Sequence, residues 1–116
     1  MWRSQAIAAA VILGASPAEA CSVNRFTAYF GMNHDIFMTV DSGKACVRAL
    51  AVHSGALEEM AIASPAANGE ARARVGSYAY RSKPGFKGQD RFVVRVRGHD
   101  PRSRGTSLLT VHVTVR

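Results

Sequence analysis

Apolar and polar residues alternate most regularly in the last third of the chain. Phe92, Val94 and Val96 fall on one parity and Arg91, Arg95 and Arg97 on the other, the period-two pattern of a strand with one face in a core and one in water. Leu109, Val111, Val113 and Val115 repeat it against Leu108, Thr110, His112 and Thr114, which predicts a closing strand over 106–116. Earlier, Ile36, Met38 and Val40 alternate with Phe37 and Thr39, and Asp41-Ser42-Gly43-Lys44 ends that strand with turn residues. The next apolar run, 45–52 (ACVRALAV), contains a conflict, because Cys46 shares its parity with Arg48 and Leu50. If Cys46 points inward, Arg48 must lean out or a bulge must shift the register. The pattern leaves both open.

Between these segments the punctuation is dense. Ser54-Gly55 is a break, and 57–63 (LEEMAIA) mixes helix formers with a length better suited to a strand, so it reads as strand. Asn68-Gly69 suits a tight hairpin connection, followed by 70–75 (EARARV) with Arg72 and Arg74 opposite alanines, and by 77–81 (SYAYR). Lys83-Pro84-Gly85 has turn chemistry, after which Asp90 can hold backbone N–H groups at a strand start. Residues 98–105 (GHDPRSRG) read as a polar loop, and 22–31, with Phe26, Tyr29 and Phe30, as an opening strand or a packed arm. About seven short strands with no secure helix and turns every eight to twelve residues predict an all-β sandwich. Its two layers would lie about 10 Å apart.

The first twenty residues have a different character. A short positive start (Met1-Trp2-Arg3), an apolar run of ten (6–15) and small residues at Ala18 and Ala20 have the layout of a signal peptide cut after Ala20. A membrane-spanning helix needs about twenty apolar residues, so none is expected in the mature form. Cys21 would then be the first mature residue, where lipidation is an alternative fate, although Ala18 and Glu19 fit the lipidation pattern poorly. Residues 1–20 therefore read as a signal peptide and 21–116 as one domain. Export to a periplasmic or extracellular, oxidising compartment favours a disulfide between Cys21 and Cys46. Free thiols or a metal pair are the alternatives, and a spacing of 25 makes a poor metal site.

From Ser77 to Val115 the chain resembles the bacterial immunoglobulin-like and cadherin-like repeat domains of exported proteins. The likeness rests on Pro65 and Gly69, on Tyr78 and Tyr80, and on the corner Pro84-Gly85-Phe86-Lys87-Gly88-Gln89-Asp90-Arg91-Phe92, closed by 109–115. It implies an immunoglobulin-like β-sandwich in which Tyr80, Pro84, Gly85, Phe86, Gly88, Asp90 and Phe92 form a structural corner. It marks architecture rather than activity. Some cadherin-like relatives bind calcium through acidic clusters, but here Asp90 is isolated and Asp100 sits among arginines. A calcium site needs about six to eight oxygen ligands, and no cofactor is expected.

Charge then narrows the functional classes. Residues 21–71 hold three cations against five carboxylates, whereas 72–104 hold ten against two, and the whole chain carries +7. Arg91, Arg95 and Arg97 on one strand face, extended by Arg72, Arg74, Arg81, Lys83 and Lys87, would attract polyanions. Outside the cytoplasm these are phosphate-bearing envelope polymers, acidic polysaccharide or an acidic protein, and nucleic acid is not expected. The bland alternative is a solvated face. Met32, His34 and Met38 suggest a second function, a copper site of soft thioether and imidazole ligands, against the plainer reading of one core methionine and two loop residues. No nucleophile elbow or paired carboxylate is present, and adjacent Glu58 and Glu59 on a strand would face opposite ways. Catalysis is therefore not expected. The pattern does not define an oligomeric state.

Overall fold

The computed structural model describes residues 21–24, 29–52 and 54–116; the expected signal peptide lies outside them. The described chain is all-β, with eight strands in chain order: β1 (Cys21–Val23), β2 (His34–Val40), β3 (Ala45–Ala49), β4 (Ala56–Ser64), β5 (Gly69–Arg74), β6 (Ser77–Ser82), β7 (Gly88–His99) and β8 (Arg104–Val115). They form a five-stranded sheet of order β1-β2-β8-β7-β4 and a three-stranded sheet of order β3-β6-β5. All pairings are antiparallel except β2 with β8, which run parallel from His34↔Leu109 to Val40↔Val115.

The alternating apolar parities meet between the sheets. Ile36, Met38 and Val40 of β2, Phe92, Val94 and Val96 of β7, and Leu109, Val111, Val113 and Val115 of β8 are all buried. From the opposite sheet, Tyr80 lies parallel to Phe92 with ring centroids 5.7 Å apart, and Tyr78 is tilted against the same ring at 6.4 Å. Aromatic faces of this kind contribute area and a preferred geometry together. Cys21 of β1 is bonded to Cys46 of β3, so a covalent link spans the two layers.

Several expected details change. There are eight strands rather than seven, because the opening segment yields β1 at Cys21–Val23, followed by a turn near Tyr29–Met32. Residues 57–63 do form strand, inside β4. The Asn68-Gly69 turn is not a hairpin within one sheet, since β4 and β5 belong to different sheets. Instead it carries the chain across the sandwich, held by the Asp90 carboxylate through the N–H groups of Ala67 and Asn68. The polar loop after Arg97 shrinks to Asp100–Ser103. Gly98 continues β7 because a β-carbon there would stand 2.7 Å from Cε1 of Phe30, so only glycine lets that ring close over the strand.

Candidate functional site

The corner from Pro84 to Phe92 assembles around one carboxylate. Phe86 N–H donates to the Lys83 carbonyl at 3.1 Å, with Pro84 second and Gly85 third in the turn at φ +84°, the arrangement of a type II turn. Two residues into β7, Asp90 is 9% exposed. Its Oδ2 accepts the Tyr80 hydroxyl at 2.7 Å and Asn68 N–H at 3.0 Å, while Oδ1 accepts Ala67 N–H at 3.0 Å and Arg91 N–H at 2.8 Å. Burial works to raise its pKa, but the four hydrogen bonds to the ionised form outweigh it and hold the carboxyl below its ordinary value. Burial, and then the bond to Asp90, push the Tyr80 phenol far upward. Every acceptor direction of Asp90 is in use, so the group fastens β6, the β4–β5 turn and β7 together. It is architecture.

The expected basic face divides in two. Arg91, Arg95 and Arg97 do share the outer face of the five-stranded sheet, joined by Arg104 across the β7–β8 ladder. Sequence reasoning missed what balances them. β4 bulges between Leu57 and Glu59, which turns both Glu58 and Glu59 outward instead of to opposite faces. Glu59 then meets Arg95 at 3.5 Å, and Glu58 meets Arg97 at 3.7 Å and His99 at 2.8 Å. The His99 hydrogen bond, aided by the Arg97 charge, lowers the Glu58 pKa. On β2, Asp35 bonds His112 at 2.9 Å, and the His112 ring stacks on exposed Phe37 at 5.0 Å. Four arginines thus face three carboxylates, and this surface is close to neutral.

Arg72 and Arg74 project from the outer face of the three-stranded sheet, on the opposite side of the sandwich. Arg81 lies beside them across the β5–β6 ladder. Lys83 and Lys87 occupy the corner at the end of that sheet, and Lys44 lies in the turn that Gly43 N–H ties to Ser82 Oγ at 2.9 Å. All six cations are exposed. Glu70 shares this surface and pairs with Arg72 at 2.9 Å, and Asp41, in the same turn as Lys44, pairs with Arg116 at 3.1 Å. Arg74 Nε donates to Ser77 Oγ at 3.4 Å, while Arg81, Lys83, Lys87 and Lys44 have no ion partner among the described residues. Six cations against Glu70, with Asp41 already paired to Arg116, make this the basic side. Beside them on β3 and β6 lie Ala45, Val47, Ala49 and Ala79, with Val47 66% exposed.

Met32, His34 and Met38 do not converge. Met38 is buried in the core, Met32 stands exposed in the turn before β2, and His34 Nε2 lies 3.1 Å from Tyr29 N–H, which can donate to it. Along the extended strand His34 and Met38 are about 13 Å apart. Among the described residues no three His, Cys, Asp or Glu side chains cluster in a metal-binding arrangement. No described helix is long and apolar enough to cross a membrane.

The sheets part at the end away from the Pro84 corner. There a cleft of about 890 Å³ opens between the last buried layer (Val96, Leu109) and residues 50–52, Ser54 and 100–102. The conflict at residues 45–52 is resolved on its wall. Arg48 pairs with Tyr78 and Cys46 with Tyr80 along β3–β6, so Arg48 keeps the inward parity, half-buried, and lines the cleft. The parity clash was the signal for this residue.

Set against protein-family models, curated proteins and solved structures, the chain matches none.

Proposed function

We propose that the protein is an exported, non-enzymatic immunoglobulin-like β-sandwich that serves as a binding or structural module at the cell envelope, engaging an anionic polymer or an acidic protein through its basic face. The family reading draws support from the strand order. β3, β6 and β5 stand where strands B, E and D stand in such sandwiches, and β4, β7 and β8 where C, F and G stand. The difference lies at the start of the chain, where β2 joins the last strand in parallel rather than lying beside β3. Export draws support from the signal-like leader and from the Cys21–Cys46 disulfide, which fits an oxidising compartment.

The observation that carries the binding reading is the imbalance on the three-stranded sheet and its corner, with Arg72, Arg74, Arg81, Lys83, Lys87 and Lys44 against Glu70, the nearby Asp41 being paired with Arg116. An excess of exposed cations gathered on one side attracts polyanions over a distance set by salt. The test is retention on an anionic-polymer column. The expected result is elution that moves earlier with salt and much earlier in Arg72→Glu/Arg81→Glu, with a smaller change in Arg91→Glu/Arg95→Glu. Retention that ignores salt and both charge reversals would overturn the reading.

A further inference from the structure

We propose that the end cleft is a binding site for an anionic amphiphile, with an apolar chain lying between the sheets and one negatively charged head set against Arg48. This site is separate from the basic face and does not depend on the polyanion reading.

Three observations carry it. The cleft has the size of ligand pockets, about 300–1,000 Å³, and its inner wall is apolar, built from Phe30, Leu50, Val52, Leu57, Val96 and Leu109. Into that wall the fold places a guanidinium, a group that stays ionised in any protein environment. Arg48 is half-buried on the inward side of β3, and among the described residues it has neither a hydrogen-bond nor an ion-pair partner. A charge withdrawn from water in this way is destabilising until something pairs with it.

Several of the other polar groups of the cleft are held by their own loops. Asp100, the one carboxylate among the lining residues, accepts Arg102 N–H at 2.8 Å, Ser103 N–H at 2.7 Å and the Ser103 hydroxyl at 3.0 Å on a single oxygen. It closes its own loop. Ser107 Oγ accepts Gly31 N–H at 3.0 Å and donates to the Tyr29 carbonyl at 3.2 Å, and the Arg102 guanidinium lies 5.0 Å over the Tyr29 ring. Arg48 is the half-buried cation on this wall, without a hydrogen-bond or ion-pair partner among the described residues. A tail without a head would leave it unanswered, and a polyanion would find among the described lining residues one further cation, Arg102, set over the Tyr29 ring and next to the Asp100 carboxylate. A molecule with one anionic end and an apolar body satisfies both features at once.

The test is displacement of a fluorescent long-chain fatty acid from the protein as isolated from its host, below the micelle concentration. Competitors are a long-chain carboxylic acid, its methyl ester, a lysophosphatidic acid and a lysophosphatidylcholine. The expected result is saturable binding of an anionic amphiphile, with the ester at least about tenfold weaker, as loss of a charged hydrogen bond implies. Whichever of the carboxylate and the phosphate competes better identifies the head. Arg48→Gln should remove the preference for acid over ester, while Arg91→Gln on the outer face leaves it in place. Equal binding of acid and ester by the unaltered protein would overturn the proposal, and needs no variant that folds. So would equal losses in the two arginine variants, or no saturable binding of any anionic amphiphile.

Discussion

Tyr80 donates its hydroxyl to Asp90 Oδ2 at 2.7 Å, and this bond closes the corner where the chain passes from the three-stranded sheet into the five-stranded one. The same carboxylate holds the N–H groups of Ala67, Asn68 and Arg91. Four donors around a carboxylate that is 9% exposed leave no room for an uncharged substitute. Asp90→Asn would turn an amide NH2 toward N–H or O–H donors, and should cost about 2–4 kcal/mol. Tyr80→Phe removes one donor of the four and should cost about 1–2 kcal/mol. The two changes should be non-additive, because both act on one bond. Urea denaturation of the single and double variants measures all three quantities. A double variant whose loss equals the sum of the singles would show that the bond carries no coupling.

The pair also sets the pH range of stability, from both ends. Hydrogen bonding holds the Asp90 pKa below its unfolded value of about 3.9. Its contribution is therefore full above that pH and is lost as pH falls through the folded value. Burial, then the bond to Asp90, raise the Tyr80 pKa above its unfolded value of about 10, so its contribution is full below that pH and declines as pH rises past it. Burial raises Tyr78 as well, in the same alkaline direction. The urea midpoint should be flat near neutrality and fall at both extremes. Asp90→Asn should flatten the acid side, and Tyr80→Phe part of the alkaline side.

Reduction of Cys21–Cys46 tests the link between the layers. The loop it closes spans 25 positions, and on a chain-entropy argument its loss should cost about 3 kcal/mol. β1 has three residues and pairs only with β2, so that strand should lose amide-exchange protection first. Exchange measured with and without a reductant should show the change concentrated at 21–23 and 38–40. Uniform loss across β7 and β8 would instead mean that the bond supports the whole core.

The main strands were legible because one parity of each is almost wholly aliphatic or aromatic. Phe92, Val94 and Val96, and Leu109 through Val115, could be buried in only one way, and the corner from Pro84 to Phe92 carried turn residues that act locally. The partition of strands between sheets was not legible. Asn68-Gly69 looks the same whether it closes a hairpin or crosses a sandwich, and what decides is a carboxylate 22 positions away. The basic side was misplaced for a related reason. Arg72, Arg74 and Arg91–Arg97 are equally exposed in a period-two reading, which says that they face water and not on which side. Arg48 was visible as a contradiction, an arginine on a cysteine's parity. That contradiction marked the cleft.

The bulge in β4 is the feature with the clearest consequence for binding. Strict alternation would send Glu58 and Glu59 to opposite faces, yet the register shift between Leu57 and Glu59 brings both beside Arg95, Arg97 and His99. These are solvent-exposed pairs, and such pairs contribute about 0–1 kcal/mol each. Glu58→Gln/Glu59→Gln should therefore leave the urea midpoint nearly unchanged. It should nevertheless alter the surface field, because four arginines would then face Asp35 alone. Retention on an anionic polymer should rise above that of the unaltered protein and become more sensitive to salt. Adding Arg72→Glu/Arg81→Glu to that variant separates the two sides. If the three-stranded sheet is the natural binding side, most of the original retention disappears and only the newly created part remains. If retention is governed by overall charge instead, the quadruple variant should behave like any protein of the same net charge, whichever sheet carries the arginines.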